Sequence, residues 1–204
     1  VVDFKVKRKK KDKKDIKEIA IFPVSSSMIR SLPYKVIDQI IKNFQNKHLF
    51  KIFIDDSEYS KHLVKKIYNK NCSFIKPKNI KSLTAEIEKI EFGIFMDSGP
   101  LHIAKIFDKK GILIETSVSS KILLSNSKNI NSVKNQFKSN FCQGPCGLVD
   151  VFSLDNRVGC YESHKTSYEK INKLKSFKIL QRWNKKDYNS HFFLNPVGCV
   201  SNIN

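Results

Sequence analysis

The chain has 204 residues, 40% of them hydrophobic, with only 7 Gly and 6 Pro. That is enough apolar material for a buried core and one or two domains, and too little Gly and Pro for a fibrous or largely disordered chain. Lys and Arg number 38 against 19 Asp and Glu, a formal net charge of +19, which favours anionic partners: a phosphorylated ligand, an acidic membrane leaflet or nucleic acid. The surplus is spread along a Lys-, Asn- and Ile-rich sequence, so charge alone does not mark a specific nucleic-acid site. Five cysteines without framework spacing read as reduced thiols in a cytoplasmic setting. No stretch approaches the roughly 18 apolar residues of a membrane span. The basic start is not followed by an apolar stretch, so no secretory leader is expected. The first residue is Val, and the chain is read as a piece of a longer protein.

Residues 1–18 hold nine basic and four acidic side chains around Lys7-Arg8-Lys9-Lys10-Lys11, a solvated linker or fraying terminus, with a membrane-surface or nucleic-acid contact as the alternative. Ile19-Ala20-Ile21-Phe22 is a short apolar strand ended by Pro23, followed by the hydroxyl-rich loop Ser25-Ser26-Ser27. Pro33 opens a helix from Tyr34 to about Gln45, with Val36, Ile37, Ile40, Ile41 and Phe44 at helical spacing. Leu49 to Ile54 is a second strand, and Asp55-Asp56-Ser57-Glu58 caps a helix carrying Leu63, Val64 and Ile67. Cys72 to Ile75 is a third strand. Ser82 to Lys89 is a short helix with Leu83 and Ile87 facing inward. Phe92 to Met96 is a fourth strand, Asp97-Ser98-Gly99 a polar turn, and Pro100 the start of a helix with Leu101, Ile103, Ala104, Ile106 and Phe107. That helix is expected to stop at Lys109-Lys110-Gly111, before a fifth strand at Ile112-Leu113-Ile114. Beyond Ser125 the pattern weakens: a polar stretch to Asn140, a Gly- and Cys-containing loop to Cys160, and an amphipathic helix from Tyr168 to Leu180. Residues 183–204 carry no readable pattern.

Apolar strands alternating with helices imply an α/β fold, a doubly wound parallel sheet covered on both faces. Such sheets bind ligands outside the carboxyl ends of their strands. The loops Ser25–Ser27, Asp55–Glu58, Asp97–Gly99 and Glu115–Ser117 all follow strands and therefore share that edge. Among them, Asp97 to His102 places two polar side chains, a glycine and an imidazole at a helix N-terminus, whose unpaired N–H groups and partial positive charge favour an anion such as a diphosphate.

A second constellation is Cys142-x3-Cys146, then thirteen residues, then Cys160-x3-His164. Zinc accepts three thiolates and an imidazole. Reduced thiols in a loop are the simpler reading, so no metal is expected.

Met96-Asp97-Ser98-Gly99-Pro100-Leu101-His102-Ile103-Ala104 resembles the motif of the glycosyltransferase family 9 proteins, the lipopolysaccharide heptosyltransferases: Asp-Ser/Thr-Gly, two variable residues, His, an apolar residue and Ala. Arg30-Ser31-Leu32-Pro33 stands where that family usually has Lys-Arg-Trp-Pro. Ile52–Glu58 is similar to its strand and acidic turn. The likeness spans about Ile19 to Thr116. It implies the Rossmann-like donor-binding half of a GT-B enzyme, with a basic inter-domain segment at 1–18, the nucleotide-sugar domain at 19–180 and a packed tail at 181–204. Donor-binding roles fall on Ser26, Arg30, Glu58, Asp97, Ser98, Gly99 and His102, with the catalytic base in another domain. Asp97 would hold sugar hydroxyls, Arg30 and His102 the diphosphate, and Glu58 or Asp56 the ribose. Three departures from the pattern stand out: Arg30 in place of Lys, no glycine in Ser25–Ser27, and Glu115-Thr116-Ser117 where the family has Gly-Pro-Thr/Ser. An acid there is unfavourable near a diphosphate unless it points away.

The implied activity is inverting transfer of a sugar, expected to be heptose, from an ADP-heptose-like donor to a lipid-linked saccharide of the lipopolysaccharide core. It requires no cofactor and no specific nucleic acid, in the cytoplasm or at the anionic face of the inner membrane. The alternatives are a catalytically inactive nucleotide-binding module and a basic nucleic-acid binder.

Overall fold

A computed structural model describes residues 2–3, 17–67, 71–142, 144–147, 160, 162, 193–196 and 198–203. Each apolar run forms a strand: β2 at Lys17–Phe22, β3 at His48–Phe53, β4 at Cys72–Lys76, β5 at Phe92–Phe95 and β6 at Lys110–Ile114. Two more join them, β1 at Val2–Asp3 and β7 at Ile130–Val133. The sheet order is β1-β4-β3-β2-β5-β6-β7. Neighbours from β4 to β7 run parallel, while β1 lies antiparallel on the β4 edge. The chain starts the parallel sheet at its centre, winds outward through β3 and β4, then returns and winds the other way from β5. The doubly wound reading therefore holds, and the two directions part between β2 and β5.

Consecutive side chains on a strand point to opposite faces, and here both faces are buried. Ile21 and Ile52 pack with Ile37, Ile41 and Leu63 under the helices α1 (Tyr34–Phe44) and α2 (Glu58–Lys66). Phe22, Phe53, Phe95 and Leu113 pack with Ile87 and Leu101 under α3 (Ile80–Lys89) and α4 (Gly99–Ile106). The Phe22 ring lies between Phe53, 4.3 Å away, and Phe95, 5.1 Å away. The Phe95 ring lies over Gly93 and Gly111, where side chains would collide with it.

Several boundaries differ from the sequence reading, each for a local reason. Helix α3 starts at Ile80, not Ser82, because the Asn79 side chain accepts the Ser82 N–H while the Ser82 hydroxyl reaches back to residue 79, a reciprocal cap. In α4, Gly99 is the first residue and Pro100 the second. That helix ends at Ile106, not at Gly111: Asp108 takes the left-handed backbone region at φ 51° and Lys109 N donates to Ala104 O at 2.9 Å. Gly111 belongs to β6. Phe44 and Ile106, expected to be buried, are 48% and 79% exposed. Ile106 is the last residue of its helix. Phe44 borders an apolar groove of about 640 Å³, beside α1, whose floor includes Ile19, Phe92, Ile94, Ile112 and Ile114. The polar stretch after Ser125 contains β7, and a short helix α5 at Ser120–Leu123 precedes it. Residues 168–180, expected to be helical, lie outside the described residues. Among the described residues no helix is long and apolar enough to cross a membrane.

Candidate functional site at the sheet's switch point

Strands β2 and β5 pair in parallel, with Phe22 level with Phe95, so the segments leaving them emerge side by side at the carboxyl edge. The loop after β2 is held by its own hydroxyls. Ser25 N donates to Ser31 Oγ at 3.0 Å, and Ser31 Oγ donates to Ser27 O at 2.9 Å. A single 3-10 turn at Met28–Arg30 then aims Arg30 across to the loop after β5. Arg30 Nη1 donates to Asp97 Oδ2 at 3.0 Å and to Asp97 O at 3.3 Å, and Nη2 donates to Ser26 Oγ at 2.6 Å. Ser25 Oγ donates to Asp97 O at 3.1 Å. Four residues from two loops thus make one clasp.

Arg30 and Asp97, given separate ligand roles by the resemblance, pair with one another in the structure. Their side chains are only 13% and 10% exposed, and a charge so far from water needs an opposite charge close by. Asp97 supplies it, so neither group is a lone charge facing a ligand.

Beside the clasp stands the start of α4. Ser98 is its N-cap residue, extended at φ −160° and ψ 171°, with a hydroxyl that makes no capping bond. Gly99 and His102 are exposed, and a Cβ on Gly99 would meet nothing within 4 Å. A helix N-terminus whose first residue is an exposed glycine, with room at its Cβ position, lets an anion approach the backbone closely. Ser98, Gly99 and His102 all lie at this helix start.

Glu58 lies one loop further along the edge, beyond β3, on the other side of β2 from Asp97. It pairs with Lys61 at 2.6 Å. Asp55 accepts from Ser57 N at 3.0 Å and Ser60 Oγ at 2.6 Å, and Asp56 pairs with Lys76. The acidic turn is largely engaged in starting α2.

Glu115, on the β6 side, is 4% exposed. Its carboxylate accepts from Ser120 N at 2.6 Å, from Lys134 Nζ at 3.4 Å and from Asn135 N at 3.4 Å. Burial alone would raise this carboxyl; the Ser120 hydroxyl and N–H, the Lys134 charge and the Asn135 N–H outweigh it and hold the group below its ordinary value. The departure from the family pattern is thus a charge bound within its own loop, turned to α5 and β7. A depressed folded-state value means that the stabilisation is present above the unfolded value and is lost as pH falls through the folded one. We predict that Glu115→Gln melts below the wild type at pH 7, and that the gap closes as pH drops below about 4.3, the ordinary glutamate value; a gap independent of pH would show that the charge does not matter. Next to it, Thr116 Oγ1 and Ser117 Oγ are buried without a hydrogen-bond partner among the described residues.

The carboxyl-terminal residues, unread in the sequence, pack beside the clasp. Phe193 is 2% exposed, with its ring against Tyr34, Tyr59 and His62 at 5.2, 5.3 and 5.0 Å. The 3-10 turn Gly198–Val200 packs on Met28–Arg30. Cys199 in that turn is buried, and burial pushes its thiol up to about 12, with Cys142, Cys146 and Cys160 acting in the same direction. Of the Cys142, Cys146, Cys160 and His164 set, His164 lies outside the described residues, and among the described residues no group of three or more His, Cys, Asp or Glu is placed to hold a metal ion. Cys199 was missed because nothing in spacing ties it to a loop so far back in the chain.

No protein-family model matches the sequence, and no curated protein is significantly similar to it. Solved structures are similar in fold. One is the ADP-heptose LPS heptosyltransferase II of E. coli, 11% identical, matched over 59% of this chain and 39% of that one with a TM-score of 0.51. Another is a glycosyl transferase family 9 protein from Veillonella parvula DSM 2008, 14% identical, matched over 59% of this chain and 36% of that one, also with a TM-score of 0.51. The match thus covers well under half the length of either structure. What the likeness shows is architecture: this chain has the doubly wound α/β fold found in these GT-B glycosyltransferases.

Proposed function

We propose that the chain binds a nucleotide-activated sugar and forms the donor-binding part of a glycosyltransferase. The observation that carries this reading is the open N-terminus of α4, placed at the switch point between β2 and β5 and fixed by the Arg30–Asp97 clasp. Transfer from such a donor breaks the bond between the anomeric carbon and the diphosphate. Negative charge grows on the departing phosphate oxygens, so preorganised donors around them lower the barrier. The Gly99 N–H, the Ser98 hydroxyl, His102 and the helix dipole are the donors we assign here; the hydroxyl makes a long contact with Met96 O at 3.5 Å. Arg30 adds to them as half of an ion pair, aligning the loops more than supplying net charge. ADP-heptose is the donor class we favour, with a lipopolysaccharide core saccharide as acceptor and an inverting displacement. These finer assignments rest on the sequence resemblance around Asp97–Ala104. The base that takes the acceptor proton is assigned to another part of the enzyme.

Calorimetry with ADP and ADP-sugars tests the reading. The chain should bind ADP saturably at one site, and His102→Ala should weaken binding about tenfold, the loss of one hydrogen bond to a charged group. Unchanged affinity in His102→Ala would remove this residue from the site. A nucleotide-binding module without transfer is the second reading, favoured by the neutralisation of Arg30 by Asp97. Sugar transfer by the complete gene product would exclude it.

A further inference from the structure

The α1 side of the sheet is covered over only part of its width by the helices that connect the strands. Strands β2 to β4 step one way along the sheet and β5 to β7 step the other. Right-handed crossovers place the helices of two such runs on opposite faces. The packing agrees: α1 and α2 lie with Ile21 and Ile52, whereas α3, α4 and α5 lie with Phe22, Phe95 and Leu113. Among the described residues, no connecting helix therefore covers β5, β6 and β7 on the α1 side. The apolar groove opens there, lined by Ile94 of β5, Ile112 and Ile114 of β6 and Val133 of β7. Phe44 on α1 and Val133 both line it and are 48% and 51% exposed. Parallel sheets are buried on both faces, and a continuous apolar surface of this kind marks a place where something packs.

Later parts of the chain point to the occupant. Cys160 and Phe193 both belong to the core cluster on the α1 side, and Ile203 packs on that cluster and lines the groove itself. Residues 163–192, outside the described residues, thus leave from and return to the side of the sheet that carries the groove. They include Tyr168, Ile171, Leu174, Phe177 and Leu180, spaced among lysines. As a helix, residues 168–180 would measure roughly 20 Å, the length of a strand of about six residues. We infer that residues 163–192 of this chain dock in the groove, with the apolar positions of 168–180 laid against Ile112, Ile114 and Val133. A second copy of the chain would compete for the same face. A segment tethered at both ends beside the groove, however, meets it at a far higher effective concentration than a separate molecule does. Docked there, the segment braces β5 and β6 beneath the loops that begin at Asp97 and Glu115.

Nuclear magnetic resonance of the full wild-type chain, with its isoleucine, leucine and valine methyls labelled, tests this directly. Nuclear Overhauser contacts should join the Ile112 and Val133 methyls to the Leu174 methyls and the Phe177 ring within one molecule. Limited proteolysis gives a second readout. The double variant Leu174→Asp, Phe177→Asp should be cut by trypsin after Lys173, Lys175 or Lys178 about tenfold faster than the wild type, because cleavage of a docked segment waits on local opening. Neither readout depends on nucleotide binding. Groove methyls that show no contact with any residue of 163–192 overturn the inference. So do contacts seen only between differently labelled copies, which would assign the groove to a second molecule, and equal cleavage rates in the variant and the wild type.

Discussion

Asp97→Ala should cost about 3 kcal/mol, near the lower end of the range for breaking a buried ion pair by removing one partner. The Arg30 guanidinium, 13% exposed, would lose the Asp97 carboxylate while keeping its bonds to the residue 97 carbonyl and Ser26 Oγ. In a chain of this size that corresponds to a drop in melting temperature of about 6–12 °C. Much of the loss should be the penalty of a stranded charge, since replacing both members of such a pair with apolar groups is often nearly neutral. The double variant Arg30→Met, Asp97→Leu should therefore recover much of the stability lost in Asp97→Ala. It should not recover ADP binding, because the clasp that sets the loop after β2 against the start of α4 would be gone. Thermal melts and calorimetry on the same three proteins separate the two effects. Equal stability of the single and double variants would show that the pair carries no stranded-charge penalty.

The second large effect lies in the sheet. A Cβ on Gly111 would stand 2.3 Å from the Gly93 carbonyl oxygen and 2.7 Å from the Phe95 ring. The carbonyl is backbone in a paired strand and cannot swing away. The ring is fully buried and stacked on Phe22. Gly111→Val should therefore destabilise at or above the top of the usual range of about 1–3 kcal/mol for overpacking, measured by urea unfolding. Gly99→Ala is the contrast. A methyl there meets nothing within 4 Å, so stability should stay within about 0.5 kcal/mol while ADP binding weakens. A Gly111→Val protein as stable as the wild type would mean that β5 and β6 do not approach as closely as the fold requires.

What the sequence shows of this fold follows from where burial is continuous. Phe92 to Met96 is apolar because the strand is covered on both faces, so it stands out without knowledge of its partners. Asp97-Ser98-Gly99-Pro100 likewise announces a turn and a helix start through residue chemistry alone. The strand β7 was hidden because Ile130-Asn131-Ser132-Val133 lies at the sheet edge with only Ile130 buried, leaving too few apolar positions to form a pattern. Helix α5 has four residues, shorter than the window in which helical periodicity can be seen. The clasp was hidden for a different reason. Arg30 and Asp97 are 67 residues apart, and each alone fits the role of a ligand-binding charge; only the pairing of β2 with β5 shows that they face one another. Glu115 was the reverse case, an acid that looked misplaced until Ser120, Lys134 and Asn135 closed around it.

We propose the start of α4, framed by the loop after β2, as the place where a nucleoside diphosphate binds. The most direct measurement is a titration of the isotopically labelled chain with ADP, following backbone amides by nuclear magnetic resonance. Saturable shifts are expected, concentrated at Ser25–Ser27, Ser98, Gly99, Leu101 and His102, with little change along α2 beyond Glu58. No saturable shift at any amide, or shifts gathered around the groove beside α1 and not at the start of α4, would contradict it.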